Sequence, residues 1–197
     1  TPADVAADIG PGLAKAAFVA KVDGRLVDLD HPMSEDSKLA LITRKDDAAL
    51  EHIRHDCAHV LAEAVLELYP EPQVPIGPSI ENGFYYDFNR AEPFSTDDLA
   101  AIEQRMHEIV DRDEPIVREE WTREQAIAHY KETNEPFKVE LAQAIPEGEI
   151  ISFYRQGNFL DLCRGPHGPS TKGVGHAFKL TKVAGAYWRG DSSKPML

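Results

Sequence analysis

The sequence predicts an α+β fold in which a mainly antiparallel sheet is covered by helices. Helical and strand-like segments are mixed along the 197 residues, without the regular alternation typical of a parallel, doubly wound sheet. Hydrophobic residues form 42% of the chain and charged residues 28%, as in ordinary globular proteins. No apolar run in the sequence approaches the roughly 18 residues that a membrane span needs, so we expect no membrane partner.

The length and the cysteine content limit the domain organisation. At about 150 residues per domain, the chain can hold one large domain, or a large one with a small companion. Cys57 and Cys163 are too few for a disulfide framework, and no signal segment opens the chain, so we expect a cytoplasmic protein with free thiols. Because the chain starts at Thr1 and closes without a cap or stop signal, we also expect it to be a piece of a longer protein.

A small first unit is predicted over residues 1–45. It begins with a helix that is capped by Thr1 and ended by Gly10-Pro11-Gly12. Two strands follow, Phe18–Val22 and Arg25–Leu29, joined by the hairpin turn Asp23-Gly24, and a third strand is predicted at Leu39–Thr43. About 45 residues are few for an independent core, so we expect this unit to be truncated and to lack an upstream strand.

A larger second unit follows from residue 46 to residue 197. Four helices are predicted in it. The first runs from Asp46 to Leu68 and ends at Tyr69-Pro70, and the second starts at Thr96, after the cap Ser95. The third runs from the cap Thr122 to Tyr130 and the fourth from Pro136 to Ala142. Its predicted strands are Phe84–Phe88, Pro115–Trp121, Ile150–Tyr154, Phe159–Leu162 and Phe178–Val183.

Charge is distributed unevenly along the chain. There are 21 basic and 34 acidic residues, a net charge of −13, which is a poor overall match to nucleic acid. Residues 151–197 hold seven basic and two acidic residues, a net charge of +5 that leaves −18 for the rest. This end of the chain is either a phosphate-binding surface or a solvated surface with uneven ion pairing.

The long helix places two histidines on one face. His55 and His59 are four residues apart, or about 40° around the helix, whereas Cys57 belongs to the opposite apolar stripe and is predicted to be buried. This spacing suits two metal ligands or two cooperating bases, but surface histidines or histidines with satisfied hydrogen bonds are the more frequent reason for it.

A second cluster lies in the turn from Asp161 to His167. An acid, a thiol, a guanidinium and an imidazole fall within seven residues that Gly165 and Pro166 keep from being helical. Together with the histidine pair, this turn supplies the ligands of a zinc site. It equally supplies the base and orienting groups for metal-free hydrolysis, or a Cys163 nucleophile whose pKa Arg164 or His167 would lower. The residues alone leave these three chemistries open.

Four separated segments resemble the amino-terminal region of bacterial threonyl-tRNA synthetases. They are the His55-x-x-x-His59 helix, the strand Asn82-Gly83-Phe84-Tyr85-Tyr86-Asp87, the turn from Asp161 to His167, and the run from Phe178 to Asp191. The segment Asp8–Lys15 resembles the small β-grasp (TGS) module of that family. The resemblance implies a truncated TGS module over residues 1–45 and, over 46–197, an editing domain of the type shared with alanyl-tRNA synthetases.

The function that the resemblance implies is hydrolysis of serine esterified to threonine tRNA. A site built for threonine rejects serine poorly, because a missing methyl group is worth only about 1–3 kcal/mol. The implied partners are the 3′ end of threonine tRNA carrying serine and the remaining domains of the synthetase, and no aminoacylation is expected of this chain. Two alternatives are a non-catalytic tRNA-binding module, which the +5 segment favours, and a zinc hydrolase of the alanyl type.

The resemblance also implies roles for individual residues. The catalytic candidates are His55 as base or water-positioning group, Lys138 for negative charge or the terminal ribose, and Cys163 and Asp161 to hold substrate or water. The substrate-binding candidates are His59, His167, Tyr86 and Arg164. No cofactor is expected; a zinc ion, if bound, would take His55, His59, Cys163 and His167. His52 and His176 match no position of the family and are expected to be incidental.

Overall fold

The first unit is a three-stranded antiparallel sheet with two short helices. The computed structural model of the protein describes residues 1–69 and 71–197. The elements of this unit are α1 (Pro2–Ile9), α2 (Pro11–Ala16), β1 (Ala17–Val22), β2 (Arg25–Val27) and β3 (Leu39–Thr43), with strand order β2-β1-β3. The Thr1 side chain accepts a hydrogen bond from the backbone N–H of Asp4, so the predicted cap is present.

Two details of this unit differ from the prediction. Helix α2 begins directly after Gly10, because a proline at the first position of a helix needs no N–H partner, and Pro11 therefore starts a helix rather than ending one. Strand β2 ends at Val27 instead of Leu29, because the chain turns there and the N–H of His31 donates to the carbonyl of Asp28.

The hairpin between β1 and β2 follows the local turn signal. Val22 pairs with Arg25, and Asp23 and Gly24 both have positive φ, 48° and 87°. A two-residue hairpin of this kind needs positive φ at both central positions, which an Asp-Gly pair accommodates.

Two long helices form one layer of the second unit. Helix α3 (Leu50–Leu68) follows a short turn at Asp47–Ala49 and ends where predicted, although Pro70 lies outside the described residues. Helix α4 (Asp98–Arg112) begins two residues after the predicted Thr96, and its Asp98 carboxylate accepts hydrogen bonds from Ser95. The shared core lies between them and includes Val60, Ala64, Met106, Ile109 and Val110.

The second layer is a three-stranded antiparallel sheet with two further helices. The short hairpin β4 (Ser79–Ile80) and β5 (Gly83–Phe84) comes first; β6 (Val117–Trp121), α5 (Arg123–Glu132), α6 (Pro136–Ala144), β7 (Ile151–Gln156) and β8 (Phe159–Leu162) follow. The strand order is β6-β7-β8, with Tyr154 opposite Asp161.

The two faces of this sheet meet different helices. Phe153, Leu160 and Leu162 pack with α5 and α6, whereas Phe159 joins the core of α3 and α4. Since side chains alternate along a strand, Asp161 and Cys163 point to the same side as Phe159. The sheet is therefore covered on both faces, and the polar end of β8 is directed at α3.

Two predicted strands are wrong or too long. The ladder of β5 stops at Phe84, and Tyr85 and Asp87 instead donate single backbone hydrogen bonds to Pro78 and Ile76. The predicted strand Phe178–Val183 is absent, because Phe178 and Leu180 pack against the core of α3 and α4 and Leu180 donates its N–H to the side chain of Glu103. Among the described residues, no helix combines the length and the apolar character needed to cross a bilayer.

Candidate active site

Two distant stretches of chain meet at one place, the middle of α3 and the turn after β8. The Nε2 atom of His55 lies 2.9 Å from Sγ of Cys163, and Nε2 of His167 lies 3.2 Å from the same sulfur. The ring centroids of His55, His59 and His167 are 4.4 to 4.9 Å apart. The structure thus brings together four of the residues that the sequence singled out.

The sulfur of Cys163 is surrounded by hydrogen-bond donors. Burial alone would raise the pKa of the Cys163 thiol, but the charge of His167 and hydrogen bonds from the neighbouring imidazoles hold that pKa well below its ordinary value. Burial also works against a charge on His167, yet the negative charges of Cys163 and Asp56 raise its pKa to about 10. Both shifts favour the thiolate form of Cys163 and the imidazolium form of His167.

His59 is held in the neutral form. Burial is the main cause that lowers the pKa of His59, and the charge of His167 lowers it further. Its Nδ1 atom is buried and has no hydrogen-bond partner among the described residues. A neutral imidazole with a free ring nitrogen can accept a proton or bind a substrate group.

Asp56 is a site residue that the sequence analysis missed. Its Oδ1 atom lies 2.7 Å from Nδ1 of His167, and its Oδ2 atom accepts a hydrogen bond from the N–H of Gly168. The carboxylate is fully buried and orients the imidazole so that Nε2 faces Cys163. The sequence did contain a signal for this role. Asp56 is an acid next to the apolar residues Cys57, Ala58 and Val60 in the middle of a helix, and a buried acid requires a partner.

Lys138, Asp161 and Tyr86 form a second buried cluster beside the first. The Lys138 ammonium pairs with the Asp161 carboxylate, and the two side chains are 3% and 5% exposed. The Tyr86 hydroxyl donates to Asp161 over 2.6 Å and lies 3.4 Å from the Lys138 ammonium. Burial and Asp161 raise the pKa of Tyr86 well above its ordinary value, so the hydroxyl remains a donor. Asp161 precedes Cys163 by two residues on one strand face, so the clusters adjoin.

The remaining candidates lie outside these clusters. Arg164 is exposed and makes no side-chain hydrogen bond or ion pair among the described residues. His52 contributes no side-chain hydrogen bond within residues 1–69 and 71–197, and burial lowers its pKa. His176 lies on the surface, 3.0 Å from Asp111 and 2.8 Å from His107. Within the described part of the chain, none of these three side chains forms a hydrogen bond with Cys163, although Arg164 follows it directly and lines the same small cavity.

A large cleft adjoins the site on the far side of Tyr86. It has a volume of about 1670 Å³, and its walls come from α3, the β4–β5 hairpin and residues 179–190. Tyr86 lines this cleft and also bonds to Asp161, whereas His55 and Cys163 do not line it. Tyr86 thus separates an open, mainly apolar cleft from the buried polar cluster.

Most basic side chains of residues 151–197 are paired with acids from earlier in the chain. The pairs are Arg155 with Glu119, Lys172 with Asp113, Lys179 with Glu103, and both Arg189 and Lys194 with Glu140. Within the described part of the chain, Arg164 and Lys182 are the basic residues of this segment without such a partner. The +5 segment is therefore largely neutralised, which favours uneven ion pairing over a continuous phosphate-binding surface.

The histidine and cysteine ligand atoms also fit a metal ion by type. One atom each from His55, His59, Cys163 and His167 lies within 4.8 Å of all the others. Three imidazoles and a thiolate are a suitable set for tetrahedral zinc, in which nitrogen and sulfur ligands are about 3.6 Å apart. The observed distances of 2.9 and 3.2 Å would have to widen by less than 1 Å.

Comparisons with known proteins agree with this architecture. The family model for the TGS domain matches residues 1–43, and the model for the threonyl and alanyl tRNA synthetase second additional domain matches residues 151–197. Threonine–tRNA ligases from Rhodospirillum rubrum, Paramagnetospirillum magneticum and Phenylobacterium zucineum are 60%, 61% and 58% identical to this chain.

These alignments cover the whole chain but only 30 to 31% of each relative, so the chain spans about a third of the length of these curated relatives. The predicted fold class and the predicted resemblance are both confirmed. The chain therefore belongs with the amino-terminal regions of bacterial threonyl-tRNA synthetases, and it carries their TGS domain and the second additional domain that they share with alanyl-tRNA synthetases.

Proposed function

We propose that this chain hydrolyses the ester of serine mischarged on threonine tRNA, with the chemistry carried by residues 46–197. The observation that carries this proposal is the convergence of His55 and His59 on the Cys163–His167 pair, beside the buried Lys138–Asp161 pair. The similarity to threonine–tRNA ligases supports tRNA as the substrate class. The rest of a synthetase would supply tRNA binding, and the site of action would be the cytoplasm.

Hydrolysis of an aminoacyl ester makes three demands on a site. A water molecule must lose a proton as it attacks the ester carbon, the carbonyl oxygen must carry negative charge, and the ribose oxygen must gain a proton as the ester C–O bond breaks. The products are free serine and tRNA with its terminal hydroxyl restored. A site that meets these demands needs a base, a cation and a route for one proton.

His55 is the group that we assign to the attacking water. It is only half-buried, whereas His59 and His167 are almost fully buried, so His55 is the imidazole that water reaches most readily. The sulfur beside it is held by His55, by His167 and by the N–H of Gly165 at 3.3 Å. A lowered pKa would equally suit a cysteine nucleophile. We assign Cys163 to orienting groups because its sulfur is buried and engaged by these three contacts.

Lys138 is the cation that we assign to the ester or to the terminal ribose. An ammonium group has three N–H donors, and Asp161 and Tyr86 account for two of them. No third partner of the ammonium is found among the described residues, and we propose that this donor serves an oxygen of the substrate. Because the ammonium is buried, its interaction with a developing negative charge would be much stronger than in water.

Selection for serine follows from size. Threonine carries one methyl group more than serine, and a well-packed pocket resists the insertion of an extra methyl group at a cost of about 1–3 kcal/mol. The ring of Phe159 stands edge-on against His59 at 5.6 Å between centroids, which gives the site a rigid apolar wall. We propose that this wall limits the size of the aminoacyl group.

A zinc-dependent hydrolase of the alanyl type is a second candidate, because the four ligand atoms lie so close together. His55, His59, Cys163 and His167 would hold the ion. Since four protein ligands fill a tetrahedral site, one of them would have to leave the ion before zinc could lower the pKa of a water. In that case Asp56 would orient His167 as a ligand, and Lys138 would keep the role described above.

The experiment that tests the proposed function is a deacylation assay with seryl-tRNA of threonine identity. We expect the 197-residue chain to accelerate decay of the serine ester and to leave the threonine ester almost unchanged. Decay at the buffer rate with saturating protein, both alone and with the rest of a synthetase added, would exclude hydrolysis. Binding of the tRNA without hydrolysis would instead support a non-catalytic module.

A further inference from the structure

Asp28 belongs to the first unit, but both of its carboxylate oxygens accept hydrogen bonds from the second unit. Oδ1 accepts from the backbone N–H of His167 over 2.8 Å, and Oδ2 accepts from the hydroxyl of Tyr154 over 2.7 Å. These partners lie 139 and 126 residues further along the chain. The carboxylate therefore connects the end of β2 directly to the turn that carries His167.

Tyr154 is itself in contact with the imidazole of His167. The two ring centroids are 4.2 Å apart, so the tyrosine ring forms a wall beside the imidazole. Gly165 leaves room for this arrangement, since a Cβ atom at that position would lie 2.0 Å from the Tyr154 hydroxyl. Asp28 thus holds both the backbone of His167 and the aromatic side chain against which its ring rests.

His167 is fixed by two carboxylates that come from different units. Asp56 accepts from the ring nitrogen Nδ1, and Asp28 accepts from the backbone N–H. The first bond constrains the ring and the second constrains the backbone, so both act on the position at which Nε2 meets Cys163. Since Nε2 lies 3.2 Å from that sulfur, a small rotation would break the contact.

Two further contacts hold the first unit against the same turn. The ring of Phe18, on β1, packs directly against Gly168. A Cβ atom at position 168 would lie only 2.3 Å from the nearest atom of that ring. Arg44, directly after β3, donates to the carbonyl oxygens of Gly173 and Val174. Each strand of the first unit therefore contains, or is directly followed by, a residue that contacts the segment from 167 to 174: Phe18 lies on β1, Asp28 follows β2 and Arg44 follows β3.

We propose that Asp28 is a positioning residue for the hydrolysis, an inference that rests on the function proposed above. It acts through His167, by holding the backbone and the aromatic wall of that residue. The first unit accordingly completes the site of the second. Displacement of catalytic groups by about 1 Å lowers rates by about a hundredfold, so loss of the Asp28 contacts should be visible in kcat.

The test compares the 197-residue chain with Asp28→Ala, Tyr154→Phe and the control Asp30→Ala, which replaces an exposed acid two residues away. Alanine is used because an asparagine could keep both hydrogen bonds. Three quantities are measured: kcat and KM for seryl-tRNA hydrolysis, the urea midpoint of unfolding, and the NMR resonances of the His167 imidazole, assigned with His167→Asn. For Asp28→Ala we expect kcat to fall roughly tenfold to a hundredfold, KM to stay within about twofold, and the imidazole resonances to shift. Tyr154→Phe should change kcat in the same direction but less, and the control should change nothing.

Unchanged imidazole resonances in Asp28→Ala would overturn the positioning role, as would a loss of kcat that follows the loss of stability across the variants. If Asp28→Ala does not fold, Tyr154→Phe decides, because it removes only a hydroxyl. A wild-type chain without hydrolysis would contradict the proposed function, and the imidazole resonances would still decide whether Asp28 orients His167.

Discussion

The Nε2 atom of His55 lies 2.9 Å from the Sγ atom of Cys163, although 108 residues separate them in the chain. This contact joins a helix in one layer to the end of an edge strand in the other. Both residues belong to segments that resemble one family, and the fold places those segments together. The predictions below follow from this contact and from the buried charges around it.

His55→Asn should abolish most of the hydrolysis. Loss of a base or of a water-positioning group typically costs about a hundredfold or more in rate, and the half-buried site should tolerate the smaller amide without unfolding. We expect kcat for seryl-tRNA to fall by about that factor with an unchanged urea midpoint. His52→Asn on the same helix is the matched control. An equal loss in both variants would contradict a specific role for His55.

Lys138→Met should destabilise the protein strongly. The substitution leaves the Asp161 carboxylate buried without its cation, and removal of one partner of a buried pair costs about 3–5 kcal/mol of unfolding free energy. Lys172→Met is the control, because Lys172 is 71% exposed and its pair with Asp113 should contribute less than about 1 kcal/mol. Urea unfolding measures both. Equal effects would mean that the Lys138–Asp161 pair is accessible to water.

Replacing both members of the Lys138–Asp161 pair by neutral residues should recover part of the lost unfolding free energy. In the double variant Lys138→Met with Asp161→Asn, no buried charge is left without a partner, although the hydrogen bond from Tyr86 becomes weaker. We expect the double variant to be more stable than Lys138→Met alone by roughly 1–3 kcal/mol, as measured by the same urea titration. A double variant that is less stable than the single one would refute this account of the pair.

Removal of divalent metal ions should leave hydrolysis unchanged, since we propose a metal-free reaction. The measurement is the initial rate of serine release before and after dialysis against a chelator, with zinc content followed in the same samples. Cys163→Ser serves as the comparison, because it weakens a zinc site while keeping a hydrogen-bonding group. Activity that disappears on dialysis and returns only with zinc would establish the alanyl-type alternative.

The free energy of unfolding should decrease as the pH rises from about 5 to 8, because the buried carboxyl of Glu63 binds its proton more tightly in the folded state. Burial raises the pKa of this carboxyl from 4.5 to about 8, and the nearby Glu114 adds to that rise. Between these values the folded state binds more protons than the unfolded state, so unfolding free energy decreases with pH at about 1 kcal/mol per unit. Glu63→Gln should reduce the slope by about this amount, because the amide does not titrate, whereas Glu71→Gln at an exposed position should leave it unchanged. A slope of the same sign should remain, because the pKa values of Glu135 and His167 are also raised, to about 7 and about 10. Parallel slopes in wild type and Glu63→Gln would contradict the assignment.

Local signals in the sequence were sufficient for most elements of the fold. The Thr1 cap, the Asp23-Gly24 turn, the Thr122 cap and the strand Phe159–Leu162 each depend on a few adjacent residues, and each is present. The helical period likewise placed His55 and His59 on one face and Cys57 in the core. By contrast, Phe178–Val183 has the composition of a strand but contacts α4 through side chains.

By itself, then, the sequence determined most of the secondary structure, the family and the two stretches that meet at the candidate site. Only the tertiary structure decided that Lys138 is buried, that Asp56 and Asp28 hold His167, and that the basic side chains near the end of the chain are paired. The reason is physical. Capping and turn formation depend on neighbours within about four residues, whereas burial and ion pairing depend on groups that folding brings together from more than 100 residues away.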